Sequence, residues 1–197
     1  MRGTTLGFTI GMVLFAAGGA GCGPAPAART GGSTAAVDAA VSIGSPCRKG
    51  VPAALAVPAG NELELALDAA GVQIYTCTAN ATGAAWVFTA PEATLYSQNG
   101  RVAGRHYAGP TWEANDGSTV KGARLAGVTV DPTAIPWLLL GAVSHTGDGR
   151  MSEVTFVQRV ATVGGLAPAA ADCTVSTVGT VARVPYTATY CFSEGED

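Results

Sequence analysis

Two histidines, no Cys-x-x-Cys pair and no glycine-rich phosphate loop leave this 197-residue chain with few of the groups that announce a chemistry. Charge is sparse as well, at 13% of residues, and helical periodicity is hard to find anywhere. Each absence excludes something. Without Gly-x-Gly-x-x-Gly between a strand and a helix there is no pyrophosphate cradle. Without Gly-x-Ser-x-Gly there is no nucleophile elbow. The cysteine spacing fits neither a thiol redox pair nor a zinc site. No internal repeat and no second domain are visible, and nothing calls for a cofactor.

What is present begins at the amino terminus. Arg2 precedes an apolar run, Leu6 to Ala17, that is too short for a permanent membrane helix, and Gly18 to Gly21 lead to Cys22. This pattern is that of a lipoprotein export signal over residues 1–21, with a lipid on Cys22, although Gly19 stands where such signals usually carry leucine. Ordinary secretion is the alternative. Residues 22–46 are rich in Gly, Ala, Pro, Ser and Thr and read as a flexible tether. As a coil it would hold the next domain roughly 25 to 30 Å from the lipid. The expected address is therefore the cell envelope, periplasmic or associated with the outer membrane, with the membrane reached only through the anchor. Loss of the signal removes Arg2 alone, leaving 10 basic against 14 acidic side chains and a formal charge of −4. That balance argues against nucleic acid as a partner.

The remaining segment, 47–197, is one domain of ordinary size. It contains Cys47, Cys77, Cys173 and Cys191, an even set for an oxidising compartment. Two disulfides are expected. Three pairings are open; the one favoured joins Cys77 to Cys173 and Cys47 to Cys191, the latter tying together the ends of the domain.

Short alternating runs bounded by Gly, Asn and Asp predict an all-β domain, a single antiparallel sandwich or barrel of roughly nine or ten strands. In Glu62 to Asp68, Leu63, Leu65 and Leu67 share a face, and a reversal is expected at Gly71 before a returning strand, Val72 to Thr78. Ala85 to Ala90 is a third strand. Gln98-Asn99-Gly100 joins Thr94–Ser97 to Arg101–Tyr107 as the clearest hairpin. Thr111–Ala114, Thr119–Leu125, Ile135–His145, Met151–Val163 and Val181–Phe192 complete the set, with Pro185 suggesting a bulge or an edge. Ile135 to Leu140 is unbroken apolar sequence, expected to be a central strand buried on both sides, with a patch for a partner as the alternative. Gln158 and Arg159 are expected to form a buried polar pair.

Several segments together, VPAGNELELALDAAGVQIYTC, FTAPEATLY, GRHYAGPTWEANDGS, IPWLLLGAVSH and VTFVQRVATVGGLAP, resemble DUF3455, a family of exported bacterial and fungal proteins of unknown function. The resemblance covers about residues 51–192 and implies a compact exported domain with no assigned activity. Cys77 and Cys173 fall where family members often carry cysteine, which supports the favoured pairing, whereas Cys191 takes a position that is often aromatic. A malate dehydrogenase label borne by some relatives is not carried over, because the dinucleotide loop is missing.

The densest candidate site is Arg105-His106-Tyr107 with Trp112-Glu113, beside a Gly-Pro bend. Trp112 and Tyr107 can stack a flat ligand while Arg105, His106 and Glu113 orient it. His145 is the other histidine and joins the candidate set. The function expected first is a β-domain that binds a small molecule, glycan or envelope partner without catalysis. An envelope hydrolase using His106, His145 and Glu113 is the second reading, and a purely structural or interaction protein the third. Asp116 reads as a turn former, and Ser144-His145 as strand neighbours on opposite faces rather than a nucleophile and its base.

Overall fold

A computed structural model describes residues 45–196. The export signal, Cys22, nearly all of the tether and Asp197 lie outside the described residues. Eight antiparallel strands close into one barrel in chain order: β1 Asn61–Asn80, β2 Gly83–Tyr96, β3 Val102–Tyr107, β4 Thr111–Ala114, β5 Thr119–Val128, β6 Trp137–Thr146, β7 Val154–Gly164 and β8 Val181–Gly195. Pairing of β8 with β1, from Asn61 opposite Gly195 to Thr76 opposite Val181, completes the ring. The all-β expectation holds, and of its two forms the barrel is the one that forms.

The strand count is eight because two expected breaks do not occur. β1 runs straight through Gly71, which makes no turn. A Cβ there would sit 2.1 Å from the Glu92 carbonyl oxygen and 2.5 Å from Ala93 Cα. Glycine serves close approach of β1 to β2, where Gly71 pairs with Ala93. Likewise β2 continues through Pro91, opposite Gln73, so that the segments on either side are one strand. A register shift between Leu63 and Leu65 on the β8 side also splits the expected leucine face. Leu65 and Leu67 join the inner core, while Leu63 packs into an outer cluster with Cys47, Ala66, Val160 and Cys191.

Inside the barrel, alternate residues of each strand form the core: Leu67, Leu95, Trp112, Val120, Val157 and Phe192 are all essentially solvent-free. One end is plugged by its turns. The Asp116 carboxylate accepts hydrogen bonds from Ser118 N, Ser118 Oγ and Arg150 N, and Met151 N donates to Ser118 Oγ. These bonds hold the carboxyl of Asp116 down to about 2, as befits a turn lock. Pro185 stands one residue past the last β7–β8 pair, Gly164 with Tyr186, where β8 has only β1 as its neighbour.

The segment before β1 packs on the outer face, where its Ala53–Leu55 turn meets β5 and β6, while the far end of β6, with Val143, and Val163 of β7 stay exposed. Leu138 and Leu140 face inward, whereas Trp137 packs in the outer cluster. Gln158 and Arg159 do not pair; strand alternation sends them to opposite faces. Gln158 Nε2 donates outward to the Leu55 carbonyl at 2.6 Å, and Arg159 turns inward, donating from Nε and Nη2 to the Pro136 carbonyl. Both disulfides form as favoured, Cys47 with Cys191 and Cys77 with Cys173.

Candidate ligand cavity

The end opposite the plug carries the β1–β2, β3–β4, β5–β6 and β7–β8 connections, and there the core gives way to a cavity of about 540 Å³. That volume is in the range of small-molecule pockets. Its walls come from nearly every strand: Gln73 and Tyr75 of β1, Phe88 and Pro91 of β2, His106, Trp112, Leu138 and Leu140, Arg159 of β7 and Tyr190 of β8. Phe88 and Arg124, which also line it, are exposed, so the cavity reaches solvent.

An aromatic stack forms one wall. His106 lies flat on Trp112 with ring centroids 4.5 Å apart and planes 13° from parallel, and Tyr190 meets both rings, at 4.9 Å and 5.3 Å. His106 Nδ1 is 2.9 Å from the Thr111 carbonyl oxygen. A carbonyl only accepts, so Nδ1 carries the proton and Nε2 is left as an acceptor. Burial among these rings pushes the His106 pKa down to about 3; the Thr111 bond opposes the shift and the positive charge of Arg159 adds to it. The imidazole is therefore neutral at physiological pH.

Linkage fixes the sign of its effect on stability. The unfolded chain, with a histidine pKa of about 6.5, binds the proton that the fold refuses, so stability is complete above that pH and falls as pH drops toward about 3. The His106→Phe variant, which keeps the stack, is expected to flatten the decline between pH 6.5 and 4, by an amount on the order of a few kcal/mol. Melting temperature against pH for the two proteins checks this, and parallel curves contradict it.

Tyrosines complete the polar frame. Tyr75 donates to the Gly165 carbonyl at 2.6 Å, and the Tyr186 and Tyr190 hydroxyls are 3.2 Å apart. Burial first, then the neighbouring Tyr190, raises the pKa of Tyr186, and burial raises that of Tyr190, so both stay neutral. Gly165 is in the left-handed region at φ 78°, and a Cβ there would press within 2.8 Å of Tyr186 Cβ and 3.1 Å of Gln73 Cγ. The Gly164-Gly165 pair thus ends β7 and also lets the chain lie against the cavity wall. The Gln73 amide approaches Tyr186 closely enough to offset part of its shift without completing a hydrogen bond. Among the described residues two buried side-chain nitrogens, Gln73 Nε2 and Trp112 Nε1, have no hydrogen-bond partner.

The six candidate residues separate by strand parity. His106 and Trp112 face the cavity. Arg105, Tyr107 and Glu113 lie on the outer surface, where Arg105 opposes Glu113 across β3 and β4. The guanidinium donates to both Glu113 oxygens at 2.8 and 2.9 Å, the Tyr107 hydroxyl donates to the same carboxylate at 3.0 Å, and Arg105 lies over the Tyr107 ring. The Arg105 bond lowers the Glu113 pKa below the usual carboxylate range. This is a self-satisfied surface cluster. His145, at the exposed end of β6, donates from Nε2 to the Val154 carbonyl at 2.7 Å near the plugged end. His106, His145 and Glu113 therefore do not meet, and among the described residues no three metal-ligating side chains cluster.

Gln73, Tyr75, Tyr190 and the inward role of Arg159 are absent from the sequence-derived set. The available signal was parity: Gln73 alternates in register with Tyr75, and Arg159 sits in an otherwise apolar strand. The profile described as Protein of unknown function (DUF3455) matches residues 58–194 of the chain. No curated protein and no solved structure gives a significant match.

Proposed function

The chain belongs to DUF3455, a protein family of unknown function, and because that membership assigns no chemistry we propose from the geometry that it binds a small molecule inside its barrel, without catalysis, in the cell envelope. The observation that carries this reading is the cavity of about 540 Å³ walled by stacked aromatic rings, whose lining residues Gln73 and Trp112 carry buried donors with no partner among the described residues. Unpaired buried polar atoms are costly to a fold, and a ligand that accepts from them would recover that cost. Catalysis finds less support. The cavity imidazole is neutral with Nδ1 tied to a backbone carbonyl, and among the described residues no carboxylate lines the cavity. A small molecule, glycan or envelope partner bound at the Arg105 to Glu113 surface would meet charged groups that already satisfy one another, and of the three the small molecule is the one the cavity can take instead.

The experiment is mass spectrometry of the mature protein extracted from the envelope in mild detergent. A denatured mass above that of the polypeptide from Cys22 reports the lipid anchor; a native mass above the denatured one reports the retained ligand. A variant carrying Trp86→Phe and Trp137→Phe isolates Trp112, whose fluorescence is expected to change when the ligand is stripped and restored. No native excess mass, together with Trp112 emission indifferent to envelope extracts, would sink the binding reading.

A further inference from the structure

The electrostatics of the cavity are one-sided. Arg159 at the wall and Arg124 at the rim both line it, and among the described residues no aspartate or glutamate does. Among the described residues neither arginine makes an ion pair; the two bridges present join Arg105 to Glu113 and Arg183 to Glu92 on the outer surface. Arg159 is partly oriented already, because Nε and Nη2 both donate to the Pro136 carbonyl, which leaves Nη1 outside that bond. The two orphaned buried atoms, Gln73 Nε2 and Trp112 Nε1, are donors too, on residues only 2% and 1% exposed. Two arginines and two residues with unpartnered donors thus line one cavity, and among the described residues no negative charge lines it to answer them. A neutral carbonyl compound would satisfy the donors alone, whereas an anion satisfies the donors and the charge together. The rings of the His106–Trp112 stack, with Leu138 and Leu140, give the same cavity an apolar lining.

We propose that the cavity takes a small organic anion, a carboxylate on a flat or short apolar body, with the carboxylate held by Arg159 and Arg124 and the body laid on the His106–Trp112 stack. This rests on the cavity reading above and specifies its ligand class. Arginine suits the task because its planar fork meets a carboxylate with two parallel hydrogen bonds.

The test is isothermal titration of the full mature protein with 2-naphthoate and with its neutral isostere 2-naphthamide, alongside benzoate and decanoate. Naphthoate is expected to bind at least about tenfold more tightly than the amide. Arg159→Gln is expected to abolish that preference, and Arg124→Gln to weaken naphthoate by about threefold while leaving the amide unchanged. Near-ultraviolet circular dichroism verifies the fold of each variant. Should Arg159→Gln fail to fold, the exposed Arg124→Gln carries the test, and unchanged naphthoate affinity there overturns the proposal. Equal affinities for acid and amide in the wild type, or a preference that survives in folded Arg159→Gln, overturn the anion assignment while the cavity reading stands. Failure of all four probes to bind at millimolar concentration overturns both.

Discussion

Replacing Cys47 and Cys191 together by alanine is expected to cost about 5 kcal/mol of stability, the largest effect of any change considered, because that bridge spans a sequence separation of 144 residues. Closing so long a loop restricts the unfolded chain more than the Cys77–Cys173 bridge, whose separation is 96. The loss has a local face as well. Cys47 anchors the segment that covers the outer cluster of Leu63, Ala66, Val160 and Trp137, and the same segment supplies the Leu55 carbonyl that Gln158 needs. Once unpinned, the segment should become cleavable between Arg48 and Leu55 before the barrel unfolds. Urea unfolding of the double variant, followed by limited proteolysis, checks both parts. A shift in unfolding free energy below about 1 kcal/mol would show that packing alone holds the segment down and that the bridge is redundant.

Gly71→Ala is expected to destabilise by more than about 3 kcal/mol, beyond the usual penalty for one added methyl in a packed interior. The reason is what the methyl would meet. The Glu92 carbonyl oxygen at 2.1 Å and Ala93 Cα at 2.5 Å are backbone atoms of a paired strand, with no rotamer through which to escape. Relief requires β1 and β2 to separate at a point where β1 is also paired with β8, Gly71 lying opposite both Ala93 and Tyr186. As a control, Gly60→Ala meets no atom within 4 Å, and its cost comes only from a φ of 80°. Chemical denaturation of both variants separates the two effects. If Gly71→Ala proves as mild as Gly60→Ala, the close strand approach is not a constraint on the barrel.

Much of this molecule is legible in the sequence because its information is local. The period-two alternation of β3 to β8 and the Asn-Gly and Asn-Asp-Gly turns specify strands and hairpins that the structure reproduces with shifts of a few residues. The errors lie where a residue acts through a distant partner. Gly71 reads as a turn former because glycine permits turns, yet here it admits a carbonyl from a strand about twenty residues away. Leu63 reads as a member of the Leu65–Leu67 face, and a bulge defined by its pairing with Ser193 moves it outside. Within the candidate site, composition drew attention to Arg105 through Glu113, and of its charged and aromatic side chains His106 and Trp112 reach the cavity, together with Gly109 and Pro110 of the bend. Parity along a strand was visible; which parity points inward was not.

By itself, then, the sequence determined an all-β domain, its family, its turn chemistry and an even cysteine set, since each of these depends on residue type and short-range spacing, whereas the ring that joins Trp112 in the cavity wall is His106 and not the expected Tyr107. Tertiary structure decided the count of strands, the closure of β8 onto β1, and the convergence of Gln73, Trp112, Arg124 and Arg159 on one cavity. Closure joins residues more than a hundred positions apart through main-chain hydrogen bonds that almost any residue can make, whatever its side chain. Such pairing leaves almost no mark on composition, and it is the ring of strands that turns scattered inward residues into one site.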